Sequence, residues 1–192
     1  MMLVAIALLG AGATSATMPP LDAYATCLLR RHERETLTAL DSGFDEPFAA
    51  AVAAIPIEGC AVDGLRPTPV ELRGPLFAAA YRRAYARSAP WPSHGVKNGW
   101  TPNATGGDPR LAWYGVSDCL LGMSSANARS LVLARPGGVE ADKHFEAIVR
   151  ALPKCLLAGG PVRINRAVLT GIVAETAFRA DYPRQLNGRH YQ

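Results

Sequence analysis

Side chains able to do chemistry occur along this 192-residue chain, but their spacing does not assemble them. Histidines stand at His32, His94, His144 and His190, and no two share a spacing that forces them together. A nucleophilic triad needs a Ser or Cys beside one of them, and no Gly-x-Ser-x-Gly elbow occurs. Carboxylates for paired acid and base work are available at Glu33, Glu35, Asp41, Asp45, Glu46, Glu71, Asp118, Glu140, Asp142 and Glu175. Most fall beside a helix cap or an arginine at helical spacing. Glu175 lies inside a helical stretch instead, with Arg179 one turn on as the partner that spacing offers. An enzyme built from this set would be a small envelope hydrolase using Glu175 or Asp118 with His144 or His94 as acid and base. The pairs Gly106-Gly107 and Gly159-Gly160 lack the Lys-Ser/Thr of a phosphate loop. The expectation is therefore a protein without catalytic residues, cofactor or metal.

Cysteine chemistry is the sharper signal. The chain has Cys27, Cys60, Cys119 and Cys155, with none of the close CxxC or HxxxH pairs that hold zinc. Their surroundings recur. Tyr24-Ala25-Thr26-Cys27-Leu28-Leu29 is matched by Val116-Ser117-Asp118-Cys119-Leu120-Leu121, and Gly59-Cys60 by Lys154-Cys155. Leu72-Arg73-Gly74 with Tyr81-Arg82 is matched by Leu169-Thr170-Gly171 with Phe178-Arg179. Offsets of 92, 95 and 97 leave only two small insertions between the halves, the pattern of a tandem duplication. Four cysteines allow three pairings, and duplication selects Cys27–Cys60 with Cys119–Cys155, the same staple used twice. Each closes a loop of roughly 35 residues, worth about 3–4 kcal/mol in the chain-entropy estimate.

Disulfides persist outside the reducing cytosol, so the pairing implies export. Residues 1–16 have the outline of a signal peptide, with an apolar run from Leu3 to Leu9 followed by small residues up to Thr14-Ser15-Ala16. No later run is apolar and long enough to cross a bilayer. A periplasmic or secreted protein is expected, with no transmembrane span in the mature chain. The net charge of +4 is too mild to argue for nucleic acid. Arg30, Arg31 and Arg34, with Arg82, Arg83 and Arg87, form two basic clusters at helical spacing, which is the pattern of a solvated face.

Helices must position these groups. Aromatic residues are 7% of a chain that is 49% hydrophobic and rich in alanine, a composition suited to closely packed helices. Leu21, Tyr24, Cys27 and Leu28 share one helical face, and Leu111, Tyr114 and Cys119 repeat it. Second helices are expected over about 34–40 and 126–134, the latter capped by Ser124-Ser125, and third helices over about 46–55 and 140–152, ended by Pro56 and Pro153. The fourth opens on the capping box Thr68-Pro69-Val70-Glu71 in one half and on Asn165 in the other, with Pro75 bending only the first copy.

The spacing thus predicts an all-α fold of two tandem duplicated modules, about four helices each, each with one internal disulfide. Module 1 spans 17–87 and module 2 spans 111–182, with a linker over 88–110 and a polar tail over 183–192. The linker is rich in Pro, Gly and Asn and carries Trp91 and Trp100, which disordered tethers rarely do. A ligand groove is expected between the modules under this segment, with Arg82, Arg83 and Lys97 as anion contacts. The function expected is a non-enzymatic binding or scaffolding module of the bacterial cell envelope, its partner an envelope protein, a glycan or an anionic lipid. An inhibitor that plugs another enzyme's cleft with the linker is the third reading, beside the hydrolase.

Overall fold

Alanine-rich segments of 3.6-residue periodicity become helices wherever a cap can start them and a Pro or Gly can stop them. The computed structural model describes residues 18–43, 46–60, 62, 65–87, 109–156 and 165–182. Among them it has eight α-helices, one short 3-10 turn and no strand. These are α1 (Met18–Arg31), α2 (Glu33–Asp41), α3 (Glu46–Ala53), α4 (Pro69–Arg87), α5 (Pro109–Met123), α6 (Ser125–Leu133), α7 (Val139–Ala151) and α8 (Arg166–Asp181), with the 3-10 turn at Leu152–Lys154. None is long and apolar enough to cross a membrane. The expected signal peptide, most of the linker with Trp91, Lys97 and Trp100, and the tail lie outside the described residues.

Local chemistry sets the helix ends. At α4 the Glu71 carboxylate accepts from both the backbone N–H and the hydroxyl of Thr68, each at 2.8 Å, and the Glu71 N–H donates back to that hydroxyl at 3.3 Å. Those bonds, the backbone one first, hold the Glu71 carboxyl below its ordinary pKa. At α8 the Asn165 side chain accepts from Ala167 N–H at 2.7 Å. Ser124 departs from expectation. It occupies the N-cap of α6 without capping it, because its hydroxyl is turned to Asn127 Nδ2 at 3.1 Å. Gly43 (φ 98°) and Gly137 (φ 78°) supply the left-handed residues of the turns after α2 and α6. Pro75 sits inside α4, which continues past it to Arg87.

The two disulfides are Cys27–Cys60 and Cys119–Cys155, the pairing expected from the matched cysteine surroundings, with Cα–Cα distances of 5.5 and 5.6 Å. Each ties the first helix of its half to the chain just beyond the third.

Helices α4 and α8 pack side by side at the centre, with α1 against α4 and α5 against α8, and the shorter helices outside them. One continuous core runs through both halves. Its middle is aromatic, with ring centroids 6.0 Å apart for Phe77 and Phe178 and 5.5 Å for Tyr81 and Tyr182. The central crossing is a backbone contact. A Cβ added at Gly74 would lie 2.6 Å from Gly171 Cα, and one added at Gly171 would lie 2.8 Å from Gly74 Cα. Both distances are shorter than any Cβ contact tolerates, so the side chains must be absent for the helices to meet this closely.

Gly74→Ala should therefore cost about 1–3 kcal/mol of unfolding free energy by forcing α4 and α8 apart. Gly115→Ala in α5, where an added Cβ meets nothing within 4 Å, should instead stabilise by about 0.5–1 kcal/mol. Urea denaturation of both variants tests the contrast, and an unchanged midpoint for Gly74→Ala would show that the backbone contact does not hold.

Candidate functional site

Beside the glycine crossing, α8 places a carboxylate where α4 places a guanidinium. Glu175, only 1% exposed, accepts four hydrogen bonds. Arg73 Nε reaches Oε2 at 2.9 Å and Arg73 NH2 reaches Oε1 at 2.7 Å. Arg179, one helical turn on, donates to Oε1 at 2.9 Å, and the Tyr114 hydroxyl donates to Oε2 at 2.7 Å. The arginines carry the network outward, Arg73 to Gly43 O at 2.7 Å and Arg179 to Leu40 O at 3.2 Å. The Arg73 guanidinium also lies 4.6 Å from the Phe48 ring centroid. Burial opposes the Arg73 cation, but Glu175 outweighs it and leaves the group with a raised pKa. Tyr114 is pushed well above the ordinary tyrosine value, first by desolvation and then by the Glu175 charge.

A second buried network closes the far end of α8. Asp181 accepts from Arg129 Nε and NH2, both at 2.6 Å, and from the Tyr81 hydroxyl at 2.7 Å. Desolvation, with Asp181 second, pushes Tyr81 far up, and burial beside the same carboxylate pushes Tyr182 up to about 12.

Among the described residues His144 meets neither Glu175 nor Asp118. The Glu175 oxygens are occupied by Arg73, Arg179 and Tyr114. His144 instead contacts Asn127 Oδ1 through Nδ1 at 3.1 Å and sits 3.7 Å from Glu140. Asp118 is raised by desolvation. His94 lies outside the described residues. Among the described residues no group of three His, Cys, Asp or Glu side chains could hold a metal ion.

The basic clusters are part of the fold in one case and surface in the other. Arg82 pairs with Asp22 and donates to Val132 O at 3.1 Å. Arg83 pairs with Glu33 and donates to Leu29 O at 3.1 Å, and Arg87 reaches Glu33 at 2.6 Å. Their charges link α4 to α1, α2 and α6. Arg30 and Arg34 stay exposed, as the solvated-face pattern requires.

The groove is expected under the 88–110 segment, most of which lies outside the described residues; the described residues form a cavity of about 390 Å³. It opens between α1, α4, α6 and α8, beside the turn that starts α7, and takes its lining from both halves. Its walls are largely aliphatic, with Leu21, Pro75, Leu131, Val132 and Ile172 among them. Gly74, Gly171, Arg73, Tyr114 and Glu175 also line it. Of the expected contact residues Arg82 lies on the lining and Arg83 does not. The sequence showed the glycines and Glu175 separately, but no local pattern announced that they meet beside an open volume.

Comparison with known protein families, with curated proteins and with solved structures returns no match.

Glu175→Ala would leave Arg73 and Arg179 buried without their carboxylate and should cost about 3–5 kcal/mol in chemical denaturation. A loss below about 1 kcal/mol would show that the network contributes little. The raised tyrosines favour their neutral form in the folded state, so their contribution is complete below the unfolded tyrosine value of about pH 10. It is lost as pH rises through the folded values. In a spectrophotometric titration part of the tyrosine absorbance change should appear only above pH 10 and together with unfolding. Ionisation of every tyrosine near pH 10 in the folded protein would contradict this.

Proposed function

We propose that the chain is an exported binding protein of the bacterial cell envelope, non-enzymatic, that holds a small ligand in the cavity between α1, α4, α6 and α8. The observation that carries the reading is the cavity itself. Its volume of about 390 Å³ falls in the range of small-molecule sites, which are concave, mostly apolar and floored by a few fixed polar groups. The engagement of Glu175 by three side chains favours binding over acid–base chemistry, since a carboxylate so occupied has no oxygen to offer a substrate. Two disulfides are compatible with an oxidising compartment.

The same reading takes the two halves as duplicated units. Support comes from the matched residues, from the order of four helices then four, from a staple at the same place in each half, and from Gly74 and Gly171 facing each other. Duplication of a unit followed by packing of its last helix on its copy makes a site that neither half has alone.

Thermal-shift measurement with a chemically mixed set of compounds of about a dozen non-hydrogen atoms tests the function. At a hundredfold excess over Kd a true ligand stabilises by about 2.7 kcal/mol. Ala78 lies on the cavity wall, and Ala78→Leu should weaken a ligand at least tenfold while Lys143→Ala on the outer face of α7 leaves it unchanged. Absence of any ligand, or equal binding to Ala78→Leu and wild type, would remove the cavity from the account.

A further inference from the structure

Resting on that binding reading, we infer that the occupant of the cavity is a neutral aliphatic chain of about a dozen non-hydrogen atoms. Size is the first argument. At about 30 Å³ for each water-sized group, a cavity of about 390 Å³ takes roughly that number of atoms.

Charge is the second. Among the described residues six ionisable side chains of fixed sign line the cavity, three cationic (Arg73, Arg82, Arg166) and three anionic (Asp22, Glu71, Glu175). Each already has a partner within the protein. Arg82 pairs with Asp22, Arg73 with Glu175, and Arg166 with Asp142 at 2.5 Å, while Glu71 is held by Thr68. Among the described residues the lining therefore carries three positive and three negative charges, and a buried polar atom on it without a hydrogen-bond partner is the neutral Thr170 hydroxyl. A charged ligand would lose its hydration and meet inside the cavity only charges that are already paired, since Glu71 is exposed at its edge, a net penalty that a neutral ligand does not incur.

Wall chemistry is the third argument. Among the described residues the single aromatic side chain on the lining is Tyr114, and its hydroxyl is bound to Glu175. The remaining apolar wall is Leu, Val, Ile, Pro and Ala, which presents no ring face for stacking. Two valines on the first turns of α4 and α8, Val70 at 80% exposure and Val168 at 51%, extend this aliphatic surface out to solvent at the cavity edge. Exposed valines beside an apolar opening are positioned to cover the outer part of a chain whose inner part fills the cavity.

The test is isothermal titration of the whole protein with 1-decanol, decanoate, decyltrimethylammonium and 2-naphthol, each below its micelle or solubility limit. 1-Decanol should bind at least tenfold tighter than the other three, and Ala78→Leu should weaken it at least tenfold. Val168→Arg, a surface change that does not threaten folding, adds an unmatched cation at the edge and should raise decanoate affinity at least tenfold while leaving 1-decanol within a factor of three. Decanoate or decyltrimethylammonium binding the wild type as tightly as 1-decanol would overturn the neutral assignment, and 2-naphthol doing so would overturn the aliphatic one. An unchanged decanoate affinity in Val168→Arg would show that this edge is not the entrance. If none of the four binds while a compound of the mixed set does, this inference fails and the binding function stands; if nothing from either set binds, both fail.

Discussion

Everything central in this molecule follows from the approach of Gly74 to Gly171. Two helices whose backbones touch leave no room between them for a Cβ, so that crossing point is fixed by what the residues lack. Once α4 and α8 are held there, the side chains on either side of the crossing have set neighbours. Toward their C-terminal ends the larger residues Phe77, Tyr81, Phe178 and Tyr182 fill the widening space with ring contacts. Closer to the crossing the separation suits one long ionic bridge, from Arg73 to Glu175.

That bridge is also where the halves differ. At the shared offset Arg73 corresponds to Thr170 and Glu175 to Ala78. One pair of positions across the crossing therefore holds a guanidinium and a carboxylate, and the corresponding pair holds a short hydroxyl side chain and a methyl group. Thr170 and Ala78 both line the cavity. All four residues line the same cavity, the ion pair giving its wall long charged side chains and the short pair only a hydroxyl and a methyl group. Burial of Glu175 is tolerable only because four donors meet it and because Phe48 and Phe77 cover the Arg73 guanidinium.

How much of this could be read from the chain depended on the range of the interaction. Thr68 with Glu71, Asn165 ahead of α8 and the turn glycines act over three or four residues, and these local rules placed the helix starts and turns. The disulfide pairing is long-range, yet the recurrence of residues around the cysteines turned it into a comparison of two local patterns. Arg179 as a partner of Glu175 was legible at one helical turn, whereas Arg73 and Tyr114, 102 and 61 residues away, were not. Ser124 shows a local rule losing to a competing local bond, since Asn127 claims the hydroxyl that would have capped α6. The cavity left no trace because an unfilled volume is a property of several helices at once.

An apolar cavity open to solvent keeps aliphatic side chains against water and apart from one another, contacts that one larger side chain at Ala78 or Ala167 would recover in part. Collapse of the surrounding helices is the other way to recover them, and the structure blocks it from three directions. The glycine contact already sets the minimum separation of α4 and α8. The Glu175 network holds α4, α5 and α8 at hydrogen-bond distances that cannot shorten. Arg82 spans from α4 to Asp22 on α1 and to the Val132 carbonyl on α6, so two more walls are propped from the same helix. A cavity braced against closing would, on the proposed binding function, be pre-organised, because little of the binding energy is spent on ordering the site. The braces engage most of the polar groups, which leaves shape, apolar surface and the Thr170 hydroxyl as the features by which the proposed ligand would be selected.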